Sequence, residues 1–98
     1  MIDLSQLVVA IDTHREGAMV SIRPHIENPI PLTLRYKMAV SQRSLAGTSS
    51  INQQGDIQTG APGSFVQLSI PPQATCNIHL ELFQEDVLVK SIDQNCSG

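Results

Sequence analysis

Hydrophobic and polar residues alternate along most of this 98-residue chain. In residues 32–40 the even positions are apolar and most of the odd positions are polar, which is typical of a strand with one buried and one solvated face. The same period recurs in residues 20–23, 66–70 and 78–82, and residues 7–11 are more uniformly apolar. Since no stretch of ten or more residues follows the helical period of about 3.6, the pattern predicts an all-β protein.

Turn-forming residues separate these stretches. They comprise Gly17, the Asn28-Pro29 pair with Pro31, residues 60–63, and Pro71-Pro72. Strands at roughly ten-residue spacing, joined by such turns, favour a sandwich or a barrel. The length suits one domain. We therefore predict a single immunoglobulin-like domain over residues 1–98, an antiparallel β-sandwich of about seven strands.

Residues 41–63 differ from the rest because they are polar and rich in Ser, Gln, Thr and Gly. We expect one weak strand near residues 51–59, flanked by mobile loops. Weak strands usually lie at a sheet edge, where a partner chain can pair with them. The residues that would form such an edge are Gln53, Gln54, Asp56 and Gln58. The alternative is a solvated connection between two sheets.

Two cysteines occur near the C-terminal end of the sequence. Cys76 opens the strand pattern of residues 76–83, and Cys96 follows that of residues 87–92. If residues 84–86 form the turn, antiparallel pairing brings the cysteines together, and a disulfide closing a loop of about 20 residues would contribute about 3 kcal/mol. Such a bridge implies an oxidising compartment. The alternative is two reduced thiols, and the spacing fits neither a Cys-x-x-Cys motif nor a zinc site.

Composition limits the classes of binding partner and the cellular locations that fit this protein. The formal net charge of −3 argues against nonspecific nucleic-acid binding, which needs a basic surface. No apolar run approaches the roughly 20 residues of a membrane-spanning helix, so we expect no membrane insertion. The first residues lack the basic and apolar pattern of a signal peptide. The cysteines nevertheless favour a mature exported protein over a cytosolic one.

Catalytic chemistry has little support in the sequence. His14, His25 and His79 fall on different predicted strands or turns, without carboxylates at metal-ligand spacing. Neither a Gly-x-Ser-x-Gly elbow nor a phosphate-binding glycine loop is present. Asp12 and Glu16 flank a turn and are interpreted as solvated charges. We expect no enzyme, no metal and no cofactor.

Protein binding is better supported. Arg35 and Lys37 share the outward face of the third predicted strand, and Arg43 lies beyond its end. Arg23, with His25, would join them only if the second strand neighboured the third, and immunoglobulin topology places those strands in different sheets. These residues suggest a local basic surface that attracts an acidic, unfolded partner. The alternative is an ordinary solvated sheet face.

Four short segments resemble a known family. They are Leu-Arg-Tyr-Lys-Met-Ala-Val at 34–40, Gly-Thr-Ser-Ser at 47–50, Gln-Gln-Gly at 53–55 and Ala-Pro-Gly at 61–63. Together they resemble the CsgH group of curli-associated proteins, which are relatives of the curli inhibitor CsgC. The likeness runs from about residue 32 to residue 70, with a compatible strand pattern beyond it.

The resemblance implies a small periplasmic immunoglobulin-like domain, monomeric, that keeps the curli major subunit in a non-amyloid state. The partner would be the unfolded or early oligomeric subunit, bound transiently at ratios well below one to one. CsgC-type proteins can carry a Cys-x-Cys motif, but here Asn77 and Ile78 follow Cys76. A redox role is therefore not implied. The alternative function is a non-enzymatic adhesion or fibre-associated structural module.

Overall fold

The structure is a computed structural model that describes residues 5–45, 47–61, 66–71 and 73–96. Pro62, Gly63 and Pro72, which the sequence assigns to turns, lie outside the described residues. Among the described residues, no helix is long and apolar enough to cross a membrane.

The described residues form seven strands. These are β1 (Val8–Glu16), β2 (Met19–Glu27), β3 (Thr33–Ser44), β4 (Gly47–Gln58), β5 (Val66–Ser69), β6 (Thr75–Gln84) and β7 (Val87–Asn95). One sheet has the order β1-β2-β5 and the other the order β4-β3-β6-β7, with every neighbouring pair antiparallel. The predicted all-β sandwich is confirmed, and the pairing of β2 with β5 and of β6 with both β3 and β7 follows immunoglobulin-like order.

The core lies between the two sheets, where the apolar positions of the alternating pattern meet. β3 contributes Leu34, Tyr36, Met38 and Val40, β6 contributes Ile78, Leu80 and Leu82, and β2 contributes Val20, Ile22 and Ile26. All are at most 2 % exposed. Each such side chain stabilises the fold by about 1.5–3 kcal/mol through burial. The charged residues between them are thereby directed to the outside of the sandwich.

The β3–β4 hairpin is longer than the sequence predicts. β3 and β4 each have 12 residues, and their register is continuous from Thr33 opposite Gln58 to Ser44 opposite Gly47. The expectation of a short strand near residues 51–59 between mobile loops is therefore wrong in extent. The reason is that backbone pairing with β3 fixes this segment, and such pairing leaves no hydrophobic period in the sequence. Its outermost position in the sheet agrees with the prediction.

β7 closes one side of the sandwich with inward-facing polar side chains. Lys90 Nζ donates a hydrogen bond to the Leu7 carbonyl oxygen at 3.3 Å, and Gln94 Nε2 donates to that of Ile11 at 3.0 Å. These contacts connect β7 with β1 and with the residue that precedes it, across the two sheets. No comparable bridge is present at β4 within the described part of the chain.

The predicted disulfide is present between Cys76 and Cys96, 20 residues apart, with a Cα–Cα distance of 5.2 Å. The hairpin that joins β6 to β7 turns at Glu85 and Asp86, with φ of 50° and 66°. Two consecutive positive φ values belong to the tight hairpin turn that matches strand twist. This turn sets the register that brings the cysteines together, and Cys96 N donates to Cys76 O at 3.0 Å. The bridge fits a periplasmic or secreted location.

Candidate functional site

The outward side chains of the four-stranded sheet form a surface that we name the outer face. Residues directly opposite one another on paired strands share a face. Its central rows, read from β4 through β3 and β6 to β7, are Asp56–Arg35–Phe83–Leu88, Gln54–Lys37–Glu81–Ser91 and Asn52–Ala39–His79–Asp93. The outer face therefore combines cations, carboxylates, amides and a small apolar corner.

Arg35 and Lys37 are both exposed on the outer face. The Lys37 Nζ lies 5.4 Å from the centre of the Phe83 ring, within the range of a cation–π contact. Asp56 stands opposite Arg35, and Glu81 stands opposite Lys37. The two predicted contact residues are thus brought together, but each has a carboxylate as its cross-strand neighbour.

The outer face is consequently mixed in charge and not uniformly basic. Its arginine and lysine side chains come from β3, whereas its carboxylates come from β4, β6 and β7. The alternation of a single strand shows which residues share its own face, but it does not show which residues of other strands stand opposite them. For this reason the sequence revealed the cations and missed their acidic neighbours.

His79 joins two of these carboxylates. Its Nδ1 lies 2.7 Å from Asp93 Oδ1, and its Nε2 lies 3.4 Å from Glu81 Oε2. The hydrogen bond to Asp93 is the main reason that the pKa of His79 is raised. Burial opposes it as the second-largest effect, and the hydrogen bond to Glu81 and the charges of both carboxylates raise the pKa further. Within the described ranges, no group of three or more His, Cys, Asp and Glu residues is arranged to hold a metal ion.

The His79 cluster predicts a pH-dependent contribution to stability. Because the pKa of His79 is raised in the folded state, its contribution is complete below the unfolded value of about 6.5 and is lost as pH rises through the folded value. We expect this contribution to stay below about 1 kcal/mol, since the ion pairs are exposed. Urea unfolding between pH 6 and pH 9 measures it.

Asp93→Asn is the matched variant for this prediction, because it removes the strongest partner and leaves the imidazole in place. It should lower the His79 pKa in an NMR titration and flatten part of the stability profile. A His79 pKa that does not move in Asp93→Asn would contradict the assignment of Asp93 as the principal cause.

A hollow of about 360 Å³ lies over Ala39, the smallest side chain in the centre of the outer face. Lys37 and Glu81 border it on one side and Asn52 and His79 on the others. The hollow exists because the side chains around Ala39 are long and Ala39 itself reaches no further than its Cβ. It gives the face a polar depression next to the β4 strand.

The structure does not bring the other predicted cations to this place. Arg23 lies on β2 in the opposite sheet, facing Asp12 of β1, and His25 Nδ1 is 3.0 Å from Asp12 Oδ2. Arg43 does lie on the outer face, but it is six residues beyond Lys37 on the same strand, or about 20 Å away. Only Arg35 and Lys37 form a compact pair.

The predicted edge residues divide between two faces. Gln54 and Asp56 belong to the outer face, and Gln58 follows them opposite Thr33. Gln53 points to the inner side, where its Oε1 is buried without a hydrogen-bond partner among the described residues. Sequence reasoning missed Asn52, Ser50 and Thr48, although the alternate polar positions along residues 48–58 were a signal for them.

No protein-family model matches this chain, and neither does any curated protein. Among solved structures it is similar to CsgH of R. palustris, with a TM-score of 0.73 and 19 % identity over 93 % of each chain. It is also similar to the E. coli curli protein CsgC, with a TM-score of 0.68 and 16 % identity over 92 % of this chain and 97 % of that one. The resemblance noted in residues 32–70 thus extends to tertiary structure, and the chain has the fold of CsgH and CsgC.

Proposed function

We propose that this chain is a periplasmic, chaperone-like inhibitor that keeps the curli major subunit from polymerising. The observation that carries the proposal is the fold shared with CsgH and CsgC over more than nine-tenths of each chain. That likeness agrees with the resemblance in the sequence of residues 34–63. The disulfide supports an oxidising compartment. The periplasm is such a compartment, and a curli subunit passes through it before export.

The physical basis of inhibition is a contact that interrupts strand stacking. Amyloid growth requires a free strand edge on which identical segments stack in register. A folded domain that engages this edge for a short time removes the template without joining the fibre. Because early oligomers are few, short-lived contacts with them delay polymerisation at low ratios of inhibitor to subunit.

Arg35 and Lys37 are proposed as the first point of contact with the subunit. Both are exposed, both lie on the outer face, and the Phe83 ring supports the position of Lys37. Long-range attraction of an acidic chain raises the rate of encounter more than the final affinity. We therefore expect inhibition to weaken as salt rises, since a Debye length of about 8 Å at 0.15 M salt screens such attraction.

The test of the function is an aggregation time course. Purified domain is added well below equimolar to freshly unfolded curli subunit, and thioflavin fluorescence records the lag. We expect a lag several times longer than that of the subunit alone. An unchanged lag even at equimolar domain overturns the proposal, and cosedimentation with mature fibres in that case would support the structural-module alternative.

Neutralising Arg35 and Lys37 should weaken the inhibition. Arg35→Gln/Lys37→Gln is preferred to charge reversal because Asp56 and Glu81 stand opposite, and a new carboxylate would face an existing one. We expect about tenfold more of this variant to be needed for the same lag, a loss in the range of electrostatic steering. The thioflavin assay over a dilution series measures the ratio.

The matched control is Arg23→Gln/Arg43→Gln. Each double variant takes the formal net charge from −3 to −5, but the control changes the opposite sheet and the far end of β3. It should inhibit nearly as well as the unaltered protein. Equal losses in both variants would show that net charge matters and that the Arg35–Lys37 pair has no special role.

A further inference from the structure

We infer that the β4 edge, residues Gly47–Gln58, accepts an extended, uncharged segment rich in Gln and Asn as an added strand. This inference rests on the proposed function for the identity of the partner, and it names the kind of segment that the inhibitor captures. It follows from the direction of backbone groups on β4, from the side chains beside them, and from the state of the other sheet edges.

The hydrogen-bond register shows which backbone groups of β4 have no partner strand among the described residues. Thr59 N donates to Leu32 O at 3.1 Å, so the pair Leu32–Thr59 is hydrogen-bonded. Bonded and non-bonded pairs alternate along an antiparallel ladder. The odd-numbered residues of β4 therefore bond to β3, and the even-numbered residues direct their N–H and C=O groups away from it.

The opposite side of the sheet gives the same assignment independently. Cys96 N donates to Cys76 O at 3.0 Å, which makes even-numbered residues of β6 the partners of β7. The odd-numbered residues of β6 then bond to the odd-numbered residues of β3, such as Ala39 with His79. Even-numbered residues of β3 are left for β4, as the Leu32–Thr59 pair requires.

The residues with free backbone groups also carry polar side chains on the outer face. They are Thr48, Ser50, Asn52, Gln54, Asp56 and Gln58. All but Asp56 are uncharged hydroxyl or amide residues. Stacked Asn and Gln side chains form amide ladders between neighbouring strands. The edge thus offers both the backbone and the side-chain hydrogen bonds that a Gln- and Asn-rich strand makes with its own kind.

The other edge strands of the two sheets are less suited than β4 to accept an added strand. Among the described residues, β5 covers 4 residues, too few to template a long strand. Side chains of β7 bond to the carbonyl groups of Leu7 and Ile11 at the β1 edge, and the pairing of β7 with β6 contains a register shift, a feature that twists an edge away from new partners. β4 is 12 residues long and contains no Lys, no Pro and no register shift. Apart from the charge of Asp56, it therefore lacks the devices by which proteins usually block an edge.

Amide hydrogen exchange followed by NMR tests the inference. The probes are a synthetic uncharged peptide of about ten Gln, Asn and Ser residues and, separately, the unfolded curli subunit. We expect exchange to slow at least about tenfold at the even-numbered amides of β4, while the odd-numbered ones, already bonded to β3, do not change. The inference is overturned if the probe protects amides of another strand instead, or if neither the even-numbered nor the odd-numbered amides of β4 become protected.

A second copy of the chain is the competing occupant of this edge. If β4 amides are protected in a concentration-dependent way without added probe, and sedimentation shows a dimer, the edge serves self-association and the inference is wrong. A monomer whose even-numbered β4 amides are protected only by the probe supports it.

Asn52→Pro gives the variant test. Proline at position 52 removes an N–H that faces the free edge, a place where a strand tolerates proline. Asn52→Lys is the second variant, which blocks the edge by charge and leaves the backbone intact. Both should remain folded and inhibit the subunit at least about tenfold less. Gln67→Pro and Gln67→Lys on β5 are the matched controls, and they should inhibit normally.

The two proposals fail in different ways. If the unaltered protein inhibits curli polymerisation and folded Asn52→Pro and Asn52→Lys inhibit equally well, the edge is wrong and the proposed function stands. If the unaltered protein has no effect on curli but the Gln- and Asn-rich peptide protects the even-numbered β4 amides, the edge stands and the curli partner is wrong.

Discussion

Leu80→Ala is expected to destabilise the folded state by about 2–5 kcal/mol, which is the range for truncating a buried leucine in a well-packed core. Leu80 is 0 % exposed and lies on β6, between Met38 of β3 and Ile92 of β7 in the register of the sheet. Neighbours on both sides and the facing sheet prevent the space from closing. Urea unfolding at neutral pH measures the change in midpoint at constant slope.

The matched control is Leu88→Ala, which removes the same atoms from a side chain that is 49 % exposed. It should cost less than about 1 kcal/mol because little surface returns to water and no enclosed space is left. Similar losses in Leu80→Ala and Leu88→Ala would contradict the burial of Leu80 in the core between the two sheets.

Removing the Cys76–Cys96 bridge is expected to cost about 3 kcal/mol, since a loop of about 20 residues regains its freedom in the unfolded chain. For a domain of this size such a loss lowers the melting temperature by about 10 °C or more. Calorimetry of Cys76→Ala/Cys96→Ala against the unaltered protein measures it. β7 should also lose amide protection first, because the bridge holds its C-terminal end to β6.

Reduction of the unaltered protein separates the stabilisation due to the disulfide bond from that due to the packing of the buried sulfur atoms. Both cysteines are 2 % exposed, so the double alanine variant loses buried sulfur atoms as well as the bond. The reduced protein keeps these atoms and should be destabilised slightly less than the variant. If reduction leaves the melting temperature unchanged, the bridge makes no contribution of the expected size.

Alternation on β3 and β6 determined which side chains are buried. Leu34, Tyr36, Met38 and Val40 follow a period of two that survives in any sheet with one covered face, and the structure buries all four. The β6–β7 turn and the disulfide could also be predicted from the sequence, because the residues that form them are close together along the chain. A hairpin with a short turn fixes the distance between its ends wherever the hairpin lies in the fold.

The β4 strand could not be predicted in its full length. Its inner face includes Gln53 and Ile51, and Ile51 is 39 % exposed. Because so little of this face is apolar and buried, the alternation of apolar and polar residues is weak in this segment. Backbone hydrogen bonds to β3 hold the strand, and those bonds are available to any residue except proline. The sequence consequently indicated an edge strand but underestimated its length.

The candidate site shows the same division. The sequence determined that Arg35 and Lys37 share one face of a strand, since neighbouring odd positions of a strand point the same way. Only the tertiary structure decided that Asp56 stands opposite Arg35 and Glu81 opposite Lys37, and which strand lies at the open edge of the sheet. The physical reason is that side-chain direction is a local property of the backbone, whereas the neighbours of a strand are chosen by the pairing of distant segments.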